Sequence, residues 1–176
     1  MTTATNELVL SGRSWVFGDQ VTTDEMFPGY AMRLPIAEAA HEMFNASRPG
    51  WPELVQSGDI VVGGTNFGLG SSRPVALLFR ELGVSCLVAE SFNSLFLRNC
   101  INYGLPLLVV PGVSSAVTEG DELTVDVVNA TFKNRSTGAV LTESKPYPEF
   151  LIEILRRGGL LRRLEEDGYL RPGSTD

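Results

Sequence analysis

Three short apolar runs, DIVVGG at 59–64, VSCLVAE at 84–90 and LPLLVV at 105–110, constrain this chain more than any other feature. Each is a few residues long, apolar throughout its centre and set off by glycine or proline. Each therefore reads as a strand covered on both faces. Between them lie two helical patterns, PVALLFREL and SFNSLFLRNCINYG. Such a strand–helix–strand–helix–strand order calls for right-handed crossovers and a parallel core. Pro74 is tolerated in a first helical turn, Gly83 and Gly104 stand where helices stop, and Ser91 is the expected cap of the second helix.

The flanks are less regular. Residues 11–18 (SGRSWVFG) look like a first strand, followed by the polar, turn-like DQVTTDE and an irregular loop, MFPGYAMRLP. Residues 36–45 have helical character, RPGWP breaks it, and PELVQ is a second helical piece. Residues 120–142 alternate in the strand manner about turns at Asn129-Ala130 and Ser136-Thr137-Gly138, giving an antiparallel hairpin or meander. YPEFLIEILRRGG is a last helix, closed by two glycines and followed by a short helical tail. The expected fold class is α/β: a parallel-core sheet with helices and an added antiparallel β-layer. A chain of 176 residues is expected to form one domain.

Composition removes several function classes. The net charge is −7, whereas a nucleic-acid partner calls for a basic patch. Arg156, Arg157, Arg162 and Arg163 do cluster, but they alternate with leucines and meet Glu165, Glu166 and Asp167 a turn later, as on a solvated helix face. No stretch approaches the roughly 18 apolar residues of a membrane span. The first ten residues lack a basic segment leading into an apolar core, so a cytoplasmic protein is expected. Cys86, Cys100 and a lone His41 are too few for a zinc or iron–sulfur site, and the cysteines read as buried free thiols.

The stretch that carries chemistry is GGTNFGLGSSRPVALLFRELG, residues 63–83. A phosphate-cradling loop of the GxxxxGK[ST] kind has its glycine spacing at Gly63 and Gly68, but Leu69 and Gly70 occupy the lysine and hydroxyl positions. A dinucleotide fingerprint would use Gly68, Gly70 and the acid Glu90 about twenty residues on, yet Arg73 stands where the third glycine belongs. The third reading places Ser71, Ser72 and Arg73 at a helix N-terminus, where unpaired N–H groups and a guanidinium fork hold a small carboxylate or phosphate. Its plain rival is one capping serine beside a surface arginine.

The run GDIVVGGTNFGLGSSRPVA, continuing into VSCLVAESFNSLFLRNCINYGLPLL, resembles the swivelling domain of the aconitase superfamily, in particular the small-subunit family of 3-isopropylmalate dehydratase. VFGDQVTTDEMFPG is similar to that family's glycine–aspartate and threonine–aspartate loop, and PYPEFLIEILRRGGLL to its final helix. The resemblance spans residues 11 to 161 and leaves 162–176 as a tail. It implies a β/β/α swivelling fold and association with a large subunit that carries a [4Fe-4S] cluster. It also implies reversible dehydration of a hydroxy di- or tricarboxylic acid.

Carried over by position, the resemblance makes Ser71 the base that removes a proton beside a substrate carboxylate. Ser72 and Arg73 would bind that carboxylate, Asp24 would enter the active site, and Asn66, Gly68 and Gly70 would support the loop. Arg33 is the candidate for an arginine that the family supplies after the Asp24 loop. No metal ligand falls on this chain. Two departures stand out. GLGSSRPVA replaces the usual GCGSSREHA, so Pro74-Val75 removes a polar pair expected to orient Arg73. Met26, Phe27, Tyr30 and Met32 make the following loop apolar, which points to a substrate with an apolar substituent. Related dehydratases of the homoaconitase, methylmalate or dimethylmalate type, a non-catalytic paralogue and a dinucleotide-binding module remain as alternatives.

Overall fold

The structure, a computed structural model, describes residues 8–173. Residues 1–7 of the stretch read for a leader, and residues 174–176 of the tail, lie outside the described residues. One sheet collects strands β1 (Val9–Val16), β2 (Ile60–Gly63), β3 (Cys86–Ala89), β4 (Leu107–Val109), β5 (Glu122–Asp126), β6 (Thr131–Asn134) and β7 (Val140–Leu141). Their order is β4-β3-β2-β1-β5-β6-β7. The expected parallel core is β1 to β4, and the expected meander is β5 to β7. The two halves share β1: Val9 to Arg13 pair antiparallel with β5, and Ser14 to Val16 pair parallel with β2.

Burial explains the two sequence patterns. Every residue of β2 and β3 is buried, which is why those runs are apolar without alternation. In β6 exposed and buried residues alternate, so one face of the meander meets solvent.

The helices are α1 (Thr23–Met26), α2 (Ile36–Ala40), α3 (Trp51–Leu54), α4 (Val75–Glu81), α5 (Ser94–Asn102), α6 (Val113–Ala116), α7 (Glu149–Arg156) and α8 (Leu160–Glu166). The crossovers α4 and α5 each stop before a glycine of positive φ, Gly83 and Gly104, as expected.

Four local expectations need correction. The polar 19–25 stretch holds α1, because Thr22 and Glu25 form a reciprocal capping box. The helix read over 36–45 ends at Ala40, because Phe44 turns to a φ of 55° and gives its N–H to the Glu25 carbonyl at 2.9 Å. Ser91 does not cap α5. Its hydroxyl accepts the Asn66 N–H at 2.8 Å, and Asn93 caps the helix through Leu95 N–H at 3.1 Å. Pro74 sits at the cap position of α4 and not within its first turn.

Two aromatic groups hold these elements. Trp51, fully buried, meets Trp15, Phe17, Phe44 and Phe79 at ring separations of 5.1–6.3 Å. Its truncation to alanine would cost about 3–5 kcal/mol. Phe67, Phe92 and Phe96 form a second group at 5.7–6.2 Å, beneath the glycine loop. Trp51 and Phe96 are thus core residues. The buried Asp59 carboxylate accepts from Trp15 Nε1 (2.7 Å), Arg13 (3.0 Å) and Gln56 N–H (2.9 Å), tying β1 to the turn before β2. The C-terminal arginines are spent on surface pairs: Arg157 and Arg163 with Asp167, Arg162 with Glu166, and Arg156 with Glu149.

Candidate active site

The loop after β2 is stitched on both sides. Gly64 N–H donates to Gly18 O (3.0 Å), Gln20 N–H to Thr65 O (2.8 Å), Gly68 N–H to Val21 O (2.8 Å) and Thr23 N–H to Leu69 O (2.8 Å). On the other flank Phe67 N–H donates to Ser91 O (3.0 Å) and Asn93 N–H to Phe67 O (2.9 Å). Gly68 has φ +85°, and a Cβ there would lie 2.1 Å from the Phe96 ring, so only glycine fits this crossing. Asn66 also adopts a positive φ of 50°, held by its bond to Ser91.

Stitching ends at Leu69. Gly70, Ser71 and Ser72 are exposed, and none of their backbone or side-chain groups is hydrogen-bonded among the described residues. Arg73 resumes the contacts. Its Nη2 lies 2.7 Å from Asp24 Oδ1, and its Nη1 donates to Phe27 O at 2.6 Å. The Arg73 side chain is 19% exposed and that of Asp24 71%, so the cation is seated and its carboxylate partner reaches out of solvent to meet it. A guanidinium carries five N–H donors, more than these two contacts use.

The structure thus brings Asp24 to Arg73, with Gly70, Ser71 and Ser72 exposed just ahead of Arg73 in the chain and the loop anchored through Asn66 on Ser91 and Gly68 on the Phe96 ring. It corrects one element of the expectation: the serines do not lie at the first turn of α4. The helix begins at Val75, with Pro74 at its cap and no side-chain cap bond. A proline there drives Arg73 out of helical geometry and offers no N–H, so the serines lie ahead of the helix and feel little of its dipole.

Arg33 ends a 3-10 turn (Gly29–Arg33), and its exposed side chain makes no hydrogen bond or ion pair among the described residues. Met26 and Phe27 are core residues, 0% and 3% exposed, and cannot line a substrate loop as expected. Tyr30 and Met32 are exposed, but the Tyr30 hydroxyl is held by Glu42 (2.5 Å) and Asn45 (2.9 Å). The Glu-His pair missing after Arg73 leaves no vacancy, because Asp24 and the Phe27 carbonyl orient the guanidinium. Sequence reasoning missed this second partner. It also missed the capping pair Thr22 and Glu25 that fixes Asp24, although the T-x-x-E spacing announces it.

The rival dinucleotide reading loses its acid. Glu90 accepts from Gly112 N–H (2.9 Å) and Ser114 N–H (2.8 Å) at the start of α6. Burial alone would raise its pKa, but these amides hold it below the usual carboxylate value. Cys86 and Cys100 are buried free thiols, and burial pushes both pKa values well up. Among the described residues no group of three His, Cys, Asp or Glu could hold a metal ion. The residues present do not fit an iron–sulfur cluster.

The family model described as "Aconitase C-terminal domain" matches residues 51–111, the segment that holds β2, the stitched glycine loop and the seated Arg73. The small subunit 1 of 3-isopropylmalate dehydratase from Methanopyrus kandleri is 42% identical over 91% of this chain and 95% of its own length. The isopropylmalate/citramalate isomerase small subunit of Methanocaldococcus jannaschii is 45% identical over 90% and 95%. The crystal structure of a 3-isopropylmalate dehydratase from the latter organism superposes with a TM-score of 0.84 at 29% identity, covering 92% of this chain and 96% of that one. The chain belongs to the 3-isopropylmalate dehydratase small-subunit family of the aconitase superfamily.

Proposed function

We propose that this chain, joined to a large subunit bearing a [4Fe-4S] cluster, forms a cytoplasmic hydro-lyase for a hydroxy di- or tricarboxylic acid of the 3-isopropylmalate type. The observation that carries the reading is the meeting of Arg73, seated by Asp24, with a Gly70–Ser72 segment whose polar groups have no internal partner.

Arg73 directs its spare donors to a substrate carboxylate, and Ser72 and the free loop N–H groups complete the grip. Ser71 Oγ takes the proton from the carbon beside that carboxylate. The C–H electron pair becomes the new C=C bond, and the hydroxyl leaves from the neighbouring carbon. Charge builds on the carboxylate as the proton departs, so donors fixed beforehand stabilise the transition state more than the ground state. A cluster on the large subunit supplies a Lewis acid for the departing hydroxyl.

A serine works as a base only where its anion is stabilised and water is excluded. Ser71 and Ser72 are exposed here, so the site needs cover from the large subunit, and the chain alone is inactive. Met32 and Tyr30 on the neighbouring turn favour a substrate with an apolar substituent. One relative is named for both isopropylmalate and citramalate. The test is copurification with the partner, its iron content, and turnover of isopropylmalate, citramalate, dimethylmalate, citrate and homocitrate. Preference for isopropylmalate, citramalate or dimethylmalate supports the reading, and preference for citrate or homocitrate overturns the apolar specificity.

A further inference from the structure

Among the described residues the buried side-chain polar atoms without a hydrogen-bond partner are Arg13 Nε, Trp51 Nε1, Ser144 Oγ, the Tyr147 hydroxyl and the Thr23 hydroxyl, and of these Thr23 alone adjoins the exposed loop. Thr23 is 1% exposed, and its Oγ1 has no hydrogen-bond partner among the described residues. A buried hydroxyl without a partner destabilises a fold relative to valine, which has the same shape. Its position suggests why it is there. Thr23 opens α1 beside Asp24, and its N–H is fixed to the Leu69 carbonyl, the last stitched residue of the loop. Its hydroxyl faces Gly70, where a Cβ would lie 2.9 Å from Oγ1. Gly70 has φ +123°, a conformation open to glycine, and its own polar groups are unpartnered, as are those of Ser71.

We infer that Thr23 is a positioning residue for Ser71, its hydroxyl donating to the Gly70 carbonyl when the Gly70–Ser71 peptide rotates to present Ser71 to substrate. Rotating that peptide changes only ψ of Gly70 and φ of Ser71, and no side chain at 70 resists it. The turn satisfies the buried donor and the free carbonyl together, and it leaves the Ser71 N–H directed away from Thr23 toward the substrate. Thr23 stays still through its bond to Leu69 while the peptide moves.

This inference rests on Ser71 being the base, so the test includes both positions. Thr23→Val, Thr23→Ser and Ser71→Ala chains are each assembled with the large subunit, assayed with 3-isopropylmalate and melted. Thr23→Val is expected to lose about 10- to 100-fold in kcat with KM changed by less than a few fold. Its melting temperature should equal or exceed wild type, because an unpaired buried hydroxyl is gone. Thr23→Ser should recover most of the kcat. Wild-type kcat in Thr23→Val overturns the inference, as does an equal loss in Thr23→Ser. A Thr23→Val chain that melts lower and loses activity in step with its folded fraction also overturns it. Wild-type turnover in Ser71→Ala sinks the underlying reading, whereas an inactive Ser71→Ala beside a fully active Thr23→Val sinks this inference alone.

Discussion

Asp24 Oδ1 and Arg73 Nη2 stand 2.7 Å apart, joining the threonine–aspartate turn to the glycine loop. The asymmetry of their burial assigns the roles. Arg73 is fixed by Asp24 and the Phe27 carbonyl, so in the proposed reading a substrate carboxylate would meet a cation that no longer has to be ordered. Lysine cannot reproduce a planar fork that serves two partners and a ligand. Arg73→Lys should therefore lower kcat/KM by about a hundredfold, or roughly 2.7 kcal/mol of transition-state stabilisation. Steady-state kinetics of the assembled enzyme measures this, and a change under threefold counts against it.

Asp24 depends in turn on the capping box. Thr22 Oγ1 accepts the Glu25 N–H at 3.1 Å, and Glu25 accepts the Thr22 N–H at 3.3 Å. Thr22→Ala should cost about 1 kcal/mol of stability and raise KM, because the first turn that carries Asp24 frays. Thermal melting and kinetics together read both effects, and an unchanged KM disconnects the cap from the site.

Acid stability should follow Glu119. Burial would raise its pKa, but hydrogen bonds from the Arg48 side chain and the Val16 N–H outweigh that and hold it below the ordinary value of 4.5. The unfolded chain thus takes up its proton first. The stabilisation is fully present above pH 4.5 and is lost as pH falls through the lower, folded value. Glu119→Gln should melt lower at neutral pH and lose less on acidification. A parallel decline in both proteins removes Glu119 as a source of the pH dependence.

Cys86 and Cys100 are fully buried, with thiols pushed toward the protonated form. An aromatic disulfide reagent should label neither in the folded chain at pH 8, and both in denaturant. Fast native labelling of either cysteine would show that the core opens readily between β3 and α5.

Much of this could be read from the residues in order. The three apolar runs declared the parallel core, since strands covered on both faces have no other composition. The glycine loop with Ser71, Ser72 and Arg73 marked out a candidate small-anion site, and the structure leaves that segment exposed beside the seated arginine. What stayed hidden depends on contacts distant in sequence. Nothing in RPGWP says that Phe44 must turn back onto Glu25, and nothing in AESFN distinguishes a capping Ser91 from one that holds Asn66. Met26 and Phe27 looked like substrate-facing residues because they fall in the stretch that resembles the family's substrate-selecting loop, yet packing drew both into the core. The ion pair of Asp24 with Arg73 came from two motifs whose adjacency only the fold supplies.

The central claim is that a hydroxyl at position 71 moves the proton. Turnover of 3-isopropylmalate by the Ser71→Ala chain, assembled with its large subunit, tests it most directly. The account predicts a fall in kcat of about 10²- to 10⁴-fold with assembly, iron content and melting temperature preserved. Turnover within a few fold of wild type in that intact assembly would contradict it.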